Sequence, residues 1–263
     1  LLVERARRVR PDFHLTRENL TAVTQICRLV DGSPLGIELA VAWLEVLPPE
    51  EIAREIAHSL DFLESSAADT PARQRSLRAV FETSWNLLDN GEQPAFQRLC
   101  VFKGSFSRQA AQEVSGSTMR TLLSLANKSW LQQSDSGRYQ LHEVLRQYGM
   151  ERLQADPKEW RETRDRHAEF FSTFLQEQGQ VLRTGGQIQA LQAVKIELES
   201  NIPAAWDWLV SGGRFDVLIE RMLPGLFHYG LIRNSSDFIP LLKQARKVVS
   251  ASVDRERLVQ HAI

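Results

Sequence analysis

Trp130-Leu131-Gln132-Gln133, then Ser134-Asp135-Ser136-Gly137, then Arg138-Tyr139-Gln140-Leu141 is the one stretch of this chain that reads as β. Two four-residue runs flank a Gly-containing loop, which is the pattern of a hairpin. The neighbouring sequence has helical period. Segments at about 92–102, 107–115 and 118–128 precede the hairpin, parted by Gly104 and Gly116. His142 to Gln154 follows it and turns Val144, Leu145, Tyr148 and Leu153 to one side. Three helices and then a hairpin is the order of a winged helix. The hairpin therefore separates a plain helical array from a mainly α fold with a winged-helix domain inside it.

Working upstream, Arg73 to Asp89 is a helix with Leu77, Val80, Phe81, Ser84 and Leu88 on one stripe, stopped by Asp89-Asn90-Gly91. The polar run Glu64 to Pro71 reads as a domain boundary. Before it, Glu18 to Val30 has an apolar face of Leu20, Val23, Ile26, Cys27 and Val30. Asp31-Gly32-Ser33-Pro34 breaks that helix, and Pro34 opens another where its missing N–H costs nothing. This helix, to Leu47, is apolar nearly all round, as a helix buried on most sides must be. Pro48-Pro49 starts one more, with Ile52, Ile56, Leu60 and Leu63 inward and Glu50-Glu51 at the positive dipole end.

Downstream, Asp156-Pro157 is a second boundary. Helices are expected at roughly 158–178, 187–210, 214–228, 235–250 and 254 to the end, punctuated by Gly185-Gly186, Gly212-Gly213, Gly230 and Asn234-Ser235. Pro203 predicts a kink or break, with Asn201 placed to cap the fresh turn. Paired helices at this spacing suggest a tetratricopeptide-like array. The expected fold is mainly α: a helical domain over 1–70, a winged helix with one hairpin over 71–155, and a helical array over 156–263 that is incomplete at its C-terminal end.

Composition narrows the function. The 263 residues are 43% hydrophobic and 25% charged, the balance of a folded soluble protein. Net charge is −1, from 32 Lys+Arg against 33 Asp+Glu, so no net field draws the chain to nucleic acid or anionic lipid. Two cysteines, Cys27 and Cys100, exclude a disulfide framework or a zinc cage and read as buried thiols. No apolar run is long enough for a membrane span and no signal peptide is visible, so a cytoplasmic location is expected. The chain starts without Met and stops within a helical pattern, so a piece of a longer protein is expected.

No Gly-x-x-x-x-Gly-Lys-Ser/Thr, Gly-x-Gly-x-x-Gly or His-Glu-x-x-His occurs, and no Cys–His or Ser–His pair suggests a nucleophile. An enzyme is not expected in this chain. Two features go beyond fold. Gly32-Ser33-Pro34-Leu35 joins a glycine, which permits close backbone approach, to a proline ring with a flat apolar face and no donor. That pair suits a purine; its plain reading is a helix start. Tyr139-Gln140-Leu141-His142-Glu143 puts His142 at a helix N-terminus, where N–H groups favour a phosphate. Its plain reading is a cap or half-buried packing residue.

Taken in order, several stretches resemble the bacterial NB-ARC-type signalling ATPases of the STAND class. They are Leu2-Val3-Glu4-Arg5-Ala6, Ile26 to Ala40, Pro71 to Arg78, Ser84 to Asp89, Val101-Phe102-Lys103-Gly104-Ser105-Phe106-Ser107 and Tyr139 to Glu143. Ile196 to Asn201 and Ala204-Ala205-Trp206 are similar to the start of the tetratricopeptide region of the same regulators. The resemblance implies a lid and sensor region that closes over nucleotide held by a P-loop domain of the same parent, with no hydrolytic centre in this chain and a slow ATPase in the parent. Gly32 and Pro34 would lie against the adenine of ADP or ATP. His142 would reach the ADP β-phosphate in the closed state, with Leu141 and Glu143 standing for the family's Met and Asp, and Gly36 for its usual alanine. Mg²⁺ would come with the absent domain, and no nucleotide is expected firmly bound here. The C-terminal helices would receive an unidentified protein or small-molecule signal, and the active state could self-associate. No membrane or direct nucleic-acid partner is expected. The alternative is a DNA-binding winged-helix transcriptional regulator, with Ser117 to Lys128 as its recognition helix. That helix offers only Arg120 and Lys128 as cations beside Leu122, Leu123 and Leu125, where DNA-docking elements concentrate Lys and Arg.

Overall fold

The computed structural model describes residues 1–30, 32–58, 77–185, 187–233, 237–244 and 246–247. Its helices are α1 (Leu2–Val9), α2 (Leu20–Leu29), α3 (Pro34–Ala42, continued by a 3₁₀ turn Trp43–Glu45), α4 (Pro49–His58), α5 (Leu77–Trp85), α6 (Glu92–Leu99), α7 (Arg108–Ser115) and α8 (Met119–Asn127). Strands β1 (Gln132–Gln133) and β2 (Tyr139–Gln140) follow, then α9 (Glu143–Gln154), α10 (Pro157–Thr184), α11 (Gln187–Leu198), α12 (Asn201–Ser211), the single turn α13 (Phe215–Val217), a π-helical turn (Leu218–Met222) and α14 (Leu223–Arg233). The fold is mainly α, and among the described residues the hairpin is the only sheet, antiparallel with Gln132 opposite Gln140 and Gln133 opposite Tyr139.

The boundary expected at 64–71 and the helix expected from 254 lie outside the described residues, as do 235–236, 245 and 248–250 of the helix expected at 235–250; residues 239–244 and 246–247 of it are helical. Elsewhere three expectations are corrected. The break expected within 187–210 is present and parts two helices, but it precedes Asn201, which does not cap: Ser200 is the N-cap, and Asn201 is fully buried in the first turn of α12. The segment 214–228 is interrupted by the π turn, which a 3.6-residue period cannot reveal. Cys100 is buried as expected, but Cys27 is only half-buried; both are free thiols.

Local chemistry explains the helix starts. Ser33 Oγ accepts from the N–H of Gly36 at 3.3 Å, Ser107 Oγ from Ala110 at 3.1 Å and Thr118 Oγ1 from Thr121 at 3.1 Å, each satisfying an otherwise orphaned donor.

The described residues pack as two units. The first takes Leu1–Cys100 and Ser117–Asp156. In it, α1 to α4 bury Leu2, Ala6, Val23, Ile26, Ile37, Ala40, Val41, Leu44, Ile52 and Ile56, while α6 packs on α8 and α9. Around this second set of helices Trp85 meets Phe96, Trp130 and Tyr148 edge-on, with centroids 6.1, 5.8 and 5.8 Å away. The hairpin thus begins from a core tryptophan.

The second unit takes Val101–Gly116 and the chain from Pro157 onward. Its axis is α10, whose 28 residues pack on α7, α11, α12 and α14. The α10–α14 crossing is as close as backbone allows: a Cβ on Gly225 would lie 2.3 Å from the Leu175 carbonyl oxygen.

Candidate functional site

Gly32 takes a left-handed backbone, φ +64°, and its N–H donates to the Cys27 carbonyl at 2.8 Å, closing α2. Ser33 then starts α3, with Pro34 at its first position and exposed. Gly36 has a steric reason: a Cβ there would meet Val30 Cβ at 2.7 Å. The structure therefore brings Gly32 and Pro34 together at one exposed helix start, built by the close approach of α3 to the end of α2.

His142 is the N-cap residue of α9, half-buried, with extended backbone and no capping bond from its ring. Its Nε2 takes a short hydrogen bond from the Gln132 side-chain amide. Gln140 Nε2 in turn donates to Gln132 Oε1 at 3.0 Å. The ring is thus referenced to the hairpin through two cross-strand glutamines. Glu143 does not stand open beside it: its carboxylate takes both arms of Arg146, at 2.9 and 2.7 Å, and Arg146 also donates to the Cys100 carbonyl at 3.3 Å. The hydrogen bond to Glu143, against the cost of burial, holds the Arg146 guanidinium above its ordinary pKa. α3 packs on α1 and α2, whereas α9 packs on α5 and α6, so Gly32–Pro34 and His142 belong to different packing sets of the first unit.

The face that a DNA-reading helix would use has another character. In α8, Leu122 and Leu125 are fully buried, while Met119 and Leu123 are 46% and 55% exposed beside exposed Arg120 and Asn127. Lys128 is engaged: its Nζ donates to Glu92 Oε2 at 2.6 Å and to the Leu87 carbonyl at 3.2 Å. Glu92 is almost fully buried and also accepts from Ser124 Oγ and the Asp89 N–H. Burial alone would raise its pKa; the bonds from Lys128, Ser124 and Asp89 outweigh that and hold it below the ordinary carboxylate value. The sequence reading missed this network, although Asp89-x-x-Glu92 has the spacing of a capping box, and Asp89 Oδ1 indeed accepts from the Glu92 N–H at 2.8 Å.

Asn201 finds its partners in a distant loop and not at a helix start. Its Oδ1 accepts from Lys103 N–H at 3.0 Å, and its Nδ2 donates to the Ser105 carbonyl at 3.0 Å and to Glu197 at 2.8 Å. The loop 101–107 wraps this amide and stacks Phe102 on Phe106 at 4.2 Å, with Phe102 edge-on to His167 and Phe171 of α10. His167 lies fully buried there, edge-on to Phe102 and tilted against Phe171, with no hydrogen-bond partner for either ring nitrogen among the described residues. Burial, with the positive charges of Arg164 and Lys103, pushes its pKa down to about 3.

Among the described residues no group of three or more His, Cys, Asp and Glu could hold a metal ion, and no helix is long and apolar enough to cross a membrane.

Comparison with known proteins finds relatives over part of the chain. The chain is 36% identical over 163 residues to a Mycobacterium bovis protein named "Putative HTH-type transcriptional regulator", a match covering 58% of this chain and 18% of that protein. A Mycobacterium tuberculosis protein of the same name matches to the same extent. An "Uncharacterized protein" of Mycobacterium bovis is 34% identical over 164 residues, covering 58% of this chain and 42% of its own length. The chain thus spans between about a fifth and two fifths of the relatives it matches. No protein-family model matches it, and no solved structure does.

Proposed function

We propose that this chain is an internal regulatory segment of an HTH-type transcriptional regulator. The observation that carries the reading is the 36% identity to proteins of that name, over a stretch that forms 18% of their length. In this reading the regulator's main DNA contact lies in other parts of the parent. The exposed α8 face, Met119 and Leu123 beside a single arginine, suits a protein surface better than a phosphate backbone, and Lys128 is held by Glu92. The segment would act by changing how the parent presents its DNA-binding part, in response to a signal at the C-terminal helices.

A second, finer reading is a nucleotide-dependent switch of the STAND class. It is favoured by one observation: the first unit carries both an exposed Gly32–Pro34 helix start and a histidine at another helix N-terminus that it does not cap. Residues 1–70 would be the lid and 71–155 the winged helix, closing over ADP on a P-loop domain elsewhere in the parent, which would also supply Mg²⁺. Pro34 would meet the adenine and His142 the β-phosphate. Exchange for ATP would release the closed state and allow self-association.

Three measurements test these readings. Deleting the segment from the parent should abolish signal-dependent control of a promoter reporter; unchanged control would remove the regulatory reading. His142→Ala in the parent should speed ADP release and raise basal output about ten- to a hundredfold, the worth of one hydrogen bond to a charged group. An unchanged ADP off-rate would sink the switch and leave the regulatory reading standing. Fluorescence anisotropy of this chain with duplex DNA should show no salt-dependent binding; a steep salt slope would return DNA contact to α8.

A further inference from the structure

In the second unit, α10 and the end of α12 enclose a groove of about 290 Å³ lined by Arg161, Asp165, Trp208, Ser211, Gly212 and Arg214. Its aromatic wall is held in place. Trp208 Nε1 donates to Asp165 Oδ1 at 2.8 Å. The Arg164 guanidinium lies 5.0 Å from the Trp208 ring and 5.4 Å from that of Trp160, and donates to the Ala204 carbonyl at 3.1 Å.

The rim cations have no such occupation. Arg161 and Arg214 are exposed, and neither has an ion-pair partner among the described residues. Arg214 is not needed as a helix cap, because the carbonyls of Trp208, Leu209 and Val210 already accept from the backbone N–H groups of Gly212, Arg214 and Gly213 at 3.0, 2.8 and 3.1 Å. Arg161 sits just past the first turn of α10, near the positive end of the helix dipole, where a cation brings no stability. The one carboxylate in the groove, Asp165, accepts from Trp208. Two uncommitted guanidiniums against one acid leave the rim positive, and Arg164 against the Trp208 ring adds to that field, which suits an anion.

We propose that this groove binds a small aromatic carboxylate. The guanidiniums would take the carboxylate through parallel N–H···O bonds, and the Trp208 indole would cover the ring. The volume lies at the lower limit of small-molecule pockets, so one ring fits and a dinucleotide does not. The site is independent of the regulatory reading, because it is tested on this chain alone.

Benzoate is the probe, titrated calorimetrically into the whole chain, with benzamide as its uncharged match. Benzoate should bind saturably with a dissociation constant of about 0.1–1 mM, and benzamide at least about tenfold more weakly. Arg161→Gln and Arg214→Gln should each weaken benzoate about tenfold and together about a hundredfold, with circular dichroism unchanged because both side chains are exposed. The proposal is overturned by equal binding of benzamide, by unchanged benzoate affinity in the double variant, or by no saturable benzoate binding up to about 10 mM.

Discussion

His167 should make the stability of this chain fall on mild acidification, and its replacement by leucine should remove that fall. The ring is fully buried between Phe102 and Phe171, and its pKa is pushed down to about 3 from the ordinary 6.5. Between those values the unfolded chain binds a proton that the folded chain does not. The folded state therefore has its full stability above pH 6.5 and loses it progressively as pH falls toward 3. From pH 7 to pH 5 the loss attributable to this group is about 2 kcal/mol, at 1.36 kcal/mol per unit of difference. His167→Leu is close in volume, removes two ring nitrogens without hydrogen-bond partners, and should raise stability at pH 7 by about 1 kcal/mol. The assay is urea unfolding followed by tryptophan fluorescence at pH 7 and pH 5. Wild type should lose about 2 kcal/mol more than His167→Leu between the two. Equal losses in the two proteins would refute the assignment and mean that His167 can take its proton in the folded state.

Three further outcomes follow from the packing. Gly225→Ala should cost about 3 kcal/mol or more, read as a lower urea midpoint, because its methyl would meet the Leu175 carbonyl at 2.3 Å and α10 must move away from α14. Lys128→Met should cost about 2 kcal/mol by removing a donor from buried Glu92, and its stability should begin to fall at a higher pH on acidification, since burial then raises the Glu92 pKa with less opposition. Urea titrations from pH 7 down to pH 4 check both effects. Ser129→Gly should stabilise by about 1 kcal/mol in a thermal melt, since Ser129 has a left-handed φ of 62°; a lower melting temperature would show that its side chain holds the turn.

The hairpin and most helices are legible in the sequence because their signals are local. Ser33, Ser107 and Thr118 stand where caps must stand, and the alternation of Trp130 to Leu141 around Gly137 has no helical reading. What is not legible is long-range. Nothing near Asn201 says that its amide will hold a loop almost a hundred residues away, so its capping propensity is the natural inference and the wrong one. The π turn at 218–222 is invisible because its apolar residues satisfy a helical period on either side. Of the candidate site, the position of His142 at a helix start is readable from the hairpin's end. Its bond to Gln132 is not, because a polar cross-strand pair looks the same as any solvated strand face.

Residues 101–116 pack with α10, although the segments on either side of them belong to the other unit, so the chain passes between the units at 100, at 116 and again at 156. Synthesis on the ribosome then meets a scheduling problem. Phe102, Phe106, Ala110, Ala111 and Val114 leave the exit tunnel with apolar faces ready, but Phe171 follows about 55 residues after Gly116, roughly 3–11 s later at ordinary translation rates. In that interval Trp85, Phe96, Trp130 and Tyr148 can close their own core around an unmatched apolar segment. The nascent chain halted near Asp156 should therefore be a better chaperone substrate than either the shorter or the finished chain.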